Sequence, residues 1–164
     1  MCSLDISSEQ QESDPVIYRF DHWELDIDEK QTALFSKTEL LDHCTCDFCN
    51  NFYQTVRLQY PELEGFLHQF GLELFAPASL MPYPFSNAVE CALEYMAFGK
   101  ITQYGTEPVA VGNAQIAFHQ ENNVVYLSFQ LVLPWKLTIP LEQARMANGE
   151  IPEMGFWDIV EHTS

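Results

Sequence analysis

Apolar and polar positions change rhythm several times along this chain. Residues 1–14 have none; they are polar, include Gln10-Gln11-Glu12-Ser13-Asp14, and read as a flexible lead-in to a single domain spanning 15–164. Val16 to Ile27 is rich in aromatic and β-branched residues and predicts a strand with Tyr18, Phe20, His22 and Glu24 on one face. Asp28 to Gln31 reads as a turn, and Thr32 to Leu41 as the returning strand of a hairpin. The rhythm then becomes helical. Phe48, Phe52 and Val56 recur at four-residue spacing with Cys49 and Tyr53 beside them, and Asp47 falls where its charge suits a helix start. Pro61 suits the first position of a second helix, Leu63, Phe66, Leu67 and Phe70 give it an apolar stripe, and Gly71 stops it.

Pro77, Pro82 and Pro84 forbid a regular helix or a central strand over 76–87, so that apolar segment is expected to lie as a strap over the core. From Ala88 the period is two. Leu93, Tyr95, Ala97, Gly99 and Ile101 alternate with Glu94, Met96, Phe98, Lys100 and Thr102, a strand apolar enough on both faces to be central and covered on each. Ala114, Ile116 and Phe118 begin a hairpin that turns at 120–123. Its returning strand sets Val125, Leu127, Phe129, Leu131 and Leu133 against Tyr126, Ser128 and Gln130. Trp135 to Ile139 reads as an edge strand, Leu141 to Ala147 as one or two helical turns, and Trp157 to Val160 as an apolar patch against the sheet. The fold class is therefore α+β: a mainly antiparallel sheet or small sandwich with a helical hairpin inserted after the first strands.

Composition narrows the function. The chain has 24 acidic and 7 basic residues, a formal charge of −17, and the acidic groups are spread along its length. Such a field repels phosphate backbones and anionic lipid, which excludes nucleic-acid binding through a basic surface. No apolar run is long enough for a membrane span, and Met1-Cys2-Ser3-Leu4-Asp5 has neither a basic start nor an apolar core, so a cytoplasmic protein is expected. In that reducing compartment, closely spaced cysteines serve as metal ligands or reactive thiols more often than as disulfides.

Three of the five cysteines, Cys44, Cys46 and Cys49, fall within six residues at the predicted start of the first helix. Free N–H groups at a helix start stabilise thiolate, the form that binds metal. Zinc takes four ligands in a closed site and three plus water in an open one. Cys91, His68 or His43 are the candidates for a fourth ligand. Two other readings stand beside metal binding: thiols packed as small apolar groups, and Cys46-Asp47-Phe48-Cys49 as a redox dithiol. The redox reading requires a βαβ setting that the predicted hairpins do not provide.

The run Cys44, Cys46, Cys49, Asn51 and Phe52, with Tyr95 to Ile101 and Leu133-Pro134-Trp135, resembles an uncharacterised family of small bacterial proteins. The resemblance covers roughly residues 16–137. It implies a strand before the cysteines, a helical pair after them and a β-rich C-terminal half, and it implies no activity. No phosphate-binding glycine loop and no nucleophile context is visible, so a non-enzymatic role is expected. The leading expectation is an acidic interaction protein that binds a basic protein partner, in the manner of an immunity or inhibitor protein. The alternative is a small zinc-binding protein whose cluster is structural or, less favoured, catalytic.

Overall fold

In chain order the elements are strands β1 (Val16–Phe20) and β2 (Trp23–Ile27), helices α1 (Glu29–Glu39), α2 (Asp47–Gln59) and α3 (Leu63–His68), and strands β3 (Ser79–Phe85), β4 (Ala88–Gln103), β5 (Val109–Val111), β6 (Ala114–Glu121) and β7 (Val124–Pro134). The structure, a computed structural model, describes residues 16–39 and 44–152. The expected lead-in over 1–14 and the patch at 157–160 lie outside them. All strand pairs are antiparallel, in the order β1-β2-β4-β7-β6-β5, with β3 added to β4. The α+β class with helices inserted after the first strands is the architecture observed.

β4 organises the sheet. Ala88 to Phe98 pair with β7 on one edge; the other edge is shared, Ala88 to Glu94 with β3 and Gly99 to Gln103 with β2. Gly99 sits where the chain passes close behind β2, at φ 153, and a Cβ there would lie 2.1 Å from the Asp26 carbonyl oxygen. Only glycine fits that approach. Alternate residues of β4, β6 and β7 form the buried face: Leu93, Tyr95, Ala97, Ile116, Phe118, Val125, Leu127, Phe129, Leu131 and Leu133. Helices α2 and α3 cover it with Phe48, Phe52, Val56, Leu63 and Leu67. The opposite face of β4 is only partly covered, by Phe35 of α1 against Phe98 at 5.4 Å.

Four expectations need correction. The first strand is two, because Asp21 takes φ 52 and reverses the chain at Asp21-His22 without a glycine to announce it. His22 is thus in a turn, and Glu24 instead pairs with Arg19 at 3.0 Å. The expected return strand over 32–41 is helix α1. Asp28 caps it, accepting from the Gln31 N–H at 3.0 Å. Its buried side is made of Thr32 and Ser36, polar residues that hide the helical period. The 76–87 strap is an edge strand over Ser79–Phe85, and its prolines are tolerated because β3 needs only one paired edge. Trp135 to Ile139 is a loop closed by the indole N–H donating to the Ile139 carbonyl at 2.7 Å.

Two smaller adjustments concern the helices. Pro61 lies in the turn before α3, whose N-cap is Glu62. Beyond the loop, Leu141–Gln143 makes a single 3-10 turn.

Tyr95 is the largest fully buried side chain among the described residues, and its hydroxyl donates to the Leu74 carbonyl. Burial, with the neighbouring Tyr53, pushes this phenol above its ordinary value of 10.0. The raised folded value means that stability is whole below pH 10 and declines as pH rises through the folded value. Urea unfolding is expected to need less denaturant at about pH 11 than at about pH 9. Tyr95→Phe is expected to cost about 1–3 kcal/mol at neutral pH, by orphaning the Leu74 carbonyl, and to weaken the alkaline decline.

Candidate metal centre

The three clustered cysteines are brought together by the local geometry of a helix start. Cys46 is the N-cap of α2, extended at φ −66 and ψ 165, and its sulfur accepts from the Cys49 N–H at 3.5 Å. N-cap and N3 side chains face each other in any helix capped this way. Cys44 joins them because its own sulfur accepts from the Cys46 N–H at 3.5 Å. The Tyr53 hydroxyl, one turn on from Cys49, holds the Cys44 carbonyl at 3.0 Å, and the Asn50 amide holds the Thr45 carbonyl at 3.1 Å.

The result is three Sγ atoms within 4.8 Å of one another. A tetrahedral ion with metal–sulfur bonds of about 2.3 Å sets its sulfurs about 3.8 Å apart. That spacing lies inside the 4.8 Å bound on the three sulfur separations.

The helix carrying the cluster is anchored through its N-terminal turns. Asn51, buried beneath it, donates to the Pro134 carbonyl at 3.1 Å and accepts from the Lys136 N–H at 2.8 Å, so it fastens α2 to the end of β7. Asp47 accepts from the Arg145 N–H at 3.0 Å and draws the C-terminal loop over the same helix start. Phe48 packs against Trp135 with ring centres 5.5 Å apart.

The thiols are electrostatically unequal. Burial pushes Cys44 up, but the Cys46 N–H and the neighbouring thiols outweigh it and the net shift is downward. Cys46 is raised, chiefly by burial, and Cys49 is raised furthest, by burial and then by the two thiols beside it. Burial, followed by the charge of the cluster, pushes Tyr53 up to about 12. Cys46 and Cys49 therefore hold their protons more firmly than Cys44 does, and a binding cation must displace them.

Among the described residues, the group able to hold an ion is Cys44, Cys46 and Cys49 alone. Cys91 is buried in β4, opposite Pro82 in register, with its thiol pushed up to about 12 by burial and then by Glu90. His68 ends α3 and faces the Glu73 carboxylate at 3.5 Å. Neither joins the cluster, and His43 lies outside the described residues. Among the described residues the antiparallel setting also has no counterpart to the βαβ unit of a thioredoxin-like dithiol.

A cavity of about 330 Å³ opens on the three sulfurs. Phe75 and Met146 on its wall were not expected at the site. Tyr53 had a signal, its place beside Cys49 on the helix; Phe75 and Met146 come from distant loops and had none. No helix among the described residues is long and apolar enough to cross a membrane. No protein-family model, curated protein or solved structure matches this chain.

Proposed function

We propose that this protein binds a metal ion of the zinc class through the thiolates of Cys44, Cys46 and Cys49. The observation that carries this reading is the convergence of three sulfurs within 4.8 Å at a helix start. Soft thiolate donors favour zinc over the hard alkaline-earth ions, and zinc imposes no geometry of its own. Three protein ligands leave one position, which would face the cavity, as in an open site. The ion would also tie the extended segment at Cys44 to the first turn of α2, so binding energy would become folding energy at this junction. Capture of a basic protein suits the charge of −17, but charge alone supports it and no described surface selects a partner.

Purified protein supplied with zinc and freed of excess is expected to retain one ion per chain and to shield three thiols from a thiol reagent until a chelator is added. Cys46→Ser is expected to lose both properties. A parent protein that retains no zinc, and whose clustered thiols react as ordinary free cysteines, would overturn the proposal.

A further inference from the structure

The cavity beside the cluster has an unusual lining for a metal site. Its other walls include Phe48, Tyr53, Phe75, Pro77, Leu80 and Met146, and among the described residues no carboxylate, imidazole, ammonium or guanidinium lines it. Metal-assisted hydrolysis needs a Lewis-acidic ion and a base to take the proton of bound water. Three thiolates outnumber the two positive charges of a divalent ion, so the centre is net negative and polarises water weakly. Among the described residues no carboxylate or imidazole base stands in the cavity to compensate. Its size is at the lower end for organic ligands, and its aromatic walls suit an apolar body. An anionic group on the ligand away from its donor atom would meet no cation there among the described residues, inside a protein already carrying −17.

We infer that the cavity binds a small uncharged organic thiol, whose sulfur takes the fourth position on the ion while its apolar body lies against Phe48, Phe75 and Met146. The inference rests on the metal reading above. In binding, a metal–sulfur bond replaces a metal–water bond, the thiol proton leaves to solvent, and nothing is oxidised or reduced. The wall and the thiols form one unit. Asp47, next to Cys46, holds the Arg145 N–H at 3.0 Å, and the adjoining turn is closed by the Gly149 N–H to the Met146 carbonyl at 2.9 Å. Met146 therefore faces the cavity from a loop pinned to the helix that bears the cysteines.

The test uses the full chain loaded with cobalt(II), whose visible spectrum reports ligand number and sulfur ligation. Benzyl mercaptan is expected to intensify the sulfur-to-cobalt band saturably, at one thiol per ion. Benzyl alcohol is expected to leave the spectrum unchanged, and mercaptoethanesulfonate to bind at least tenfold more weakly. Ala78→Phe and Ala147→Phe place bulk in the cavity from two separate segments. Either one, while keeping the parent cobalt spectrum, is expected to weaken benzyl mercaptan binding at least tenfold.

A cobalt spectrum that is already four-coordinate in protein ligands, or that benzyl mercaptan leaves unchanged or strips away, overturns the inference while the metal reading stands. An equal response to the alcohol overturns it too, as does undiminished thiol binding by both filled variants. Absence of any sulfur-to-cobalt band in the parent overturns the metal reading itself, and this inference with it.

Discussion

Cys49→Ser is expected to weaken zinc binding at pH 7 on the order of 100-fold, since a four-ligand structural site is worth about 10–16 kcal/mol and each ligand therefore about 3 kcal/mol. Cys49 is the informative member because it is the only buried one of the three and sits on the regular part of α2. Its thiol is also raised furthest, so it competes hardest for its proton when no ion is present. The sign of the pH effect follows. Each thiol that must shed a proton makes affinity rise about tenfold per pH unit below its own pKa. Parent affinity should climb steeply from about pH 6 to about pH 8, and the Cys49→Ser slope should be shallower by one proton, because a serine hydroxyl has none to displace in that range. Competition against a chromophoric chelator at several pH values reads both quantities. Equal affinity and equal slope in the two proteins would remove Cys49 from the site.

Legibility in the sequence followed the physical origin of each element. β7 and α2 were readable because large apolar side chains recur on their buried faces, so periods of two and of three to four stand out in Val125 to Leu133 and in Phe48, Phe52 and Val56. The N-cap role of Cys46 was readable for a similar reason: Asp47 and the following stripe fix where the helix begins. Helix α1 was not, since the residues it buries are Thr32 and Ser36, and the packing of Thr32 depends on a hydrogen bond made elsewhere. The Thr32 hydroxyl donates to the Asp28 carbonyl at 2.8 Å and accepts from the Phe98 N–H at 2.9 Å, a partner 66 residues away. The candidate site divides along the same line. Its thiols are local in sequence and were visible as a motif. The walls contributed by Phe75 and Met146 exist only once the chain has folded, and no spacing rule connects residue 49 with residue 146.

Phe52→Ala is expected to destabilise the protein by about 3–5 kcal/mol, the range for removing a large aromatic ring from a packed core. Phe52 is fully buried on the sheet-facing side of α2, and its ring packs against Tyr53 at 5.8 Å and Phe75 at 6.4 Å. Domains of this size are stable by only about 5–15 kcal/mol, so the loss should be plain in a urea melt. Leu58→Ala on the same helix is the control: Leu58 is 81% exposed, and its truncation should fall within about 0.5 kcal/mol of the parent. The two variants also probe the coupling between metal and fold. An ion that binds only the folded state, supplied at 100 times its dissociation constant, adds about 2.7 kcal/mol of stability. Zinc should therefore restore a large part of what Phe52→Ala loses. It should restore only about 0.4 kcal/mol in the Phe52→Ala, Cys49→Ser double variant at the same zinc concentration, where a site weakened about 100-fold is half filled. Recovery in the double variant as large as in Phe52→Ala alone would mean that zinc stabilises the chain from another place, and the junction at the start of α2 would no longer be the centre through which metal and folding are linked.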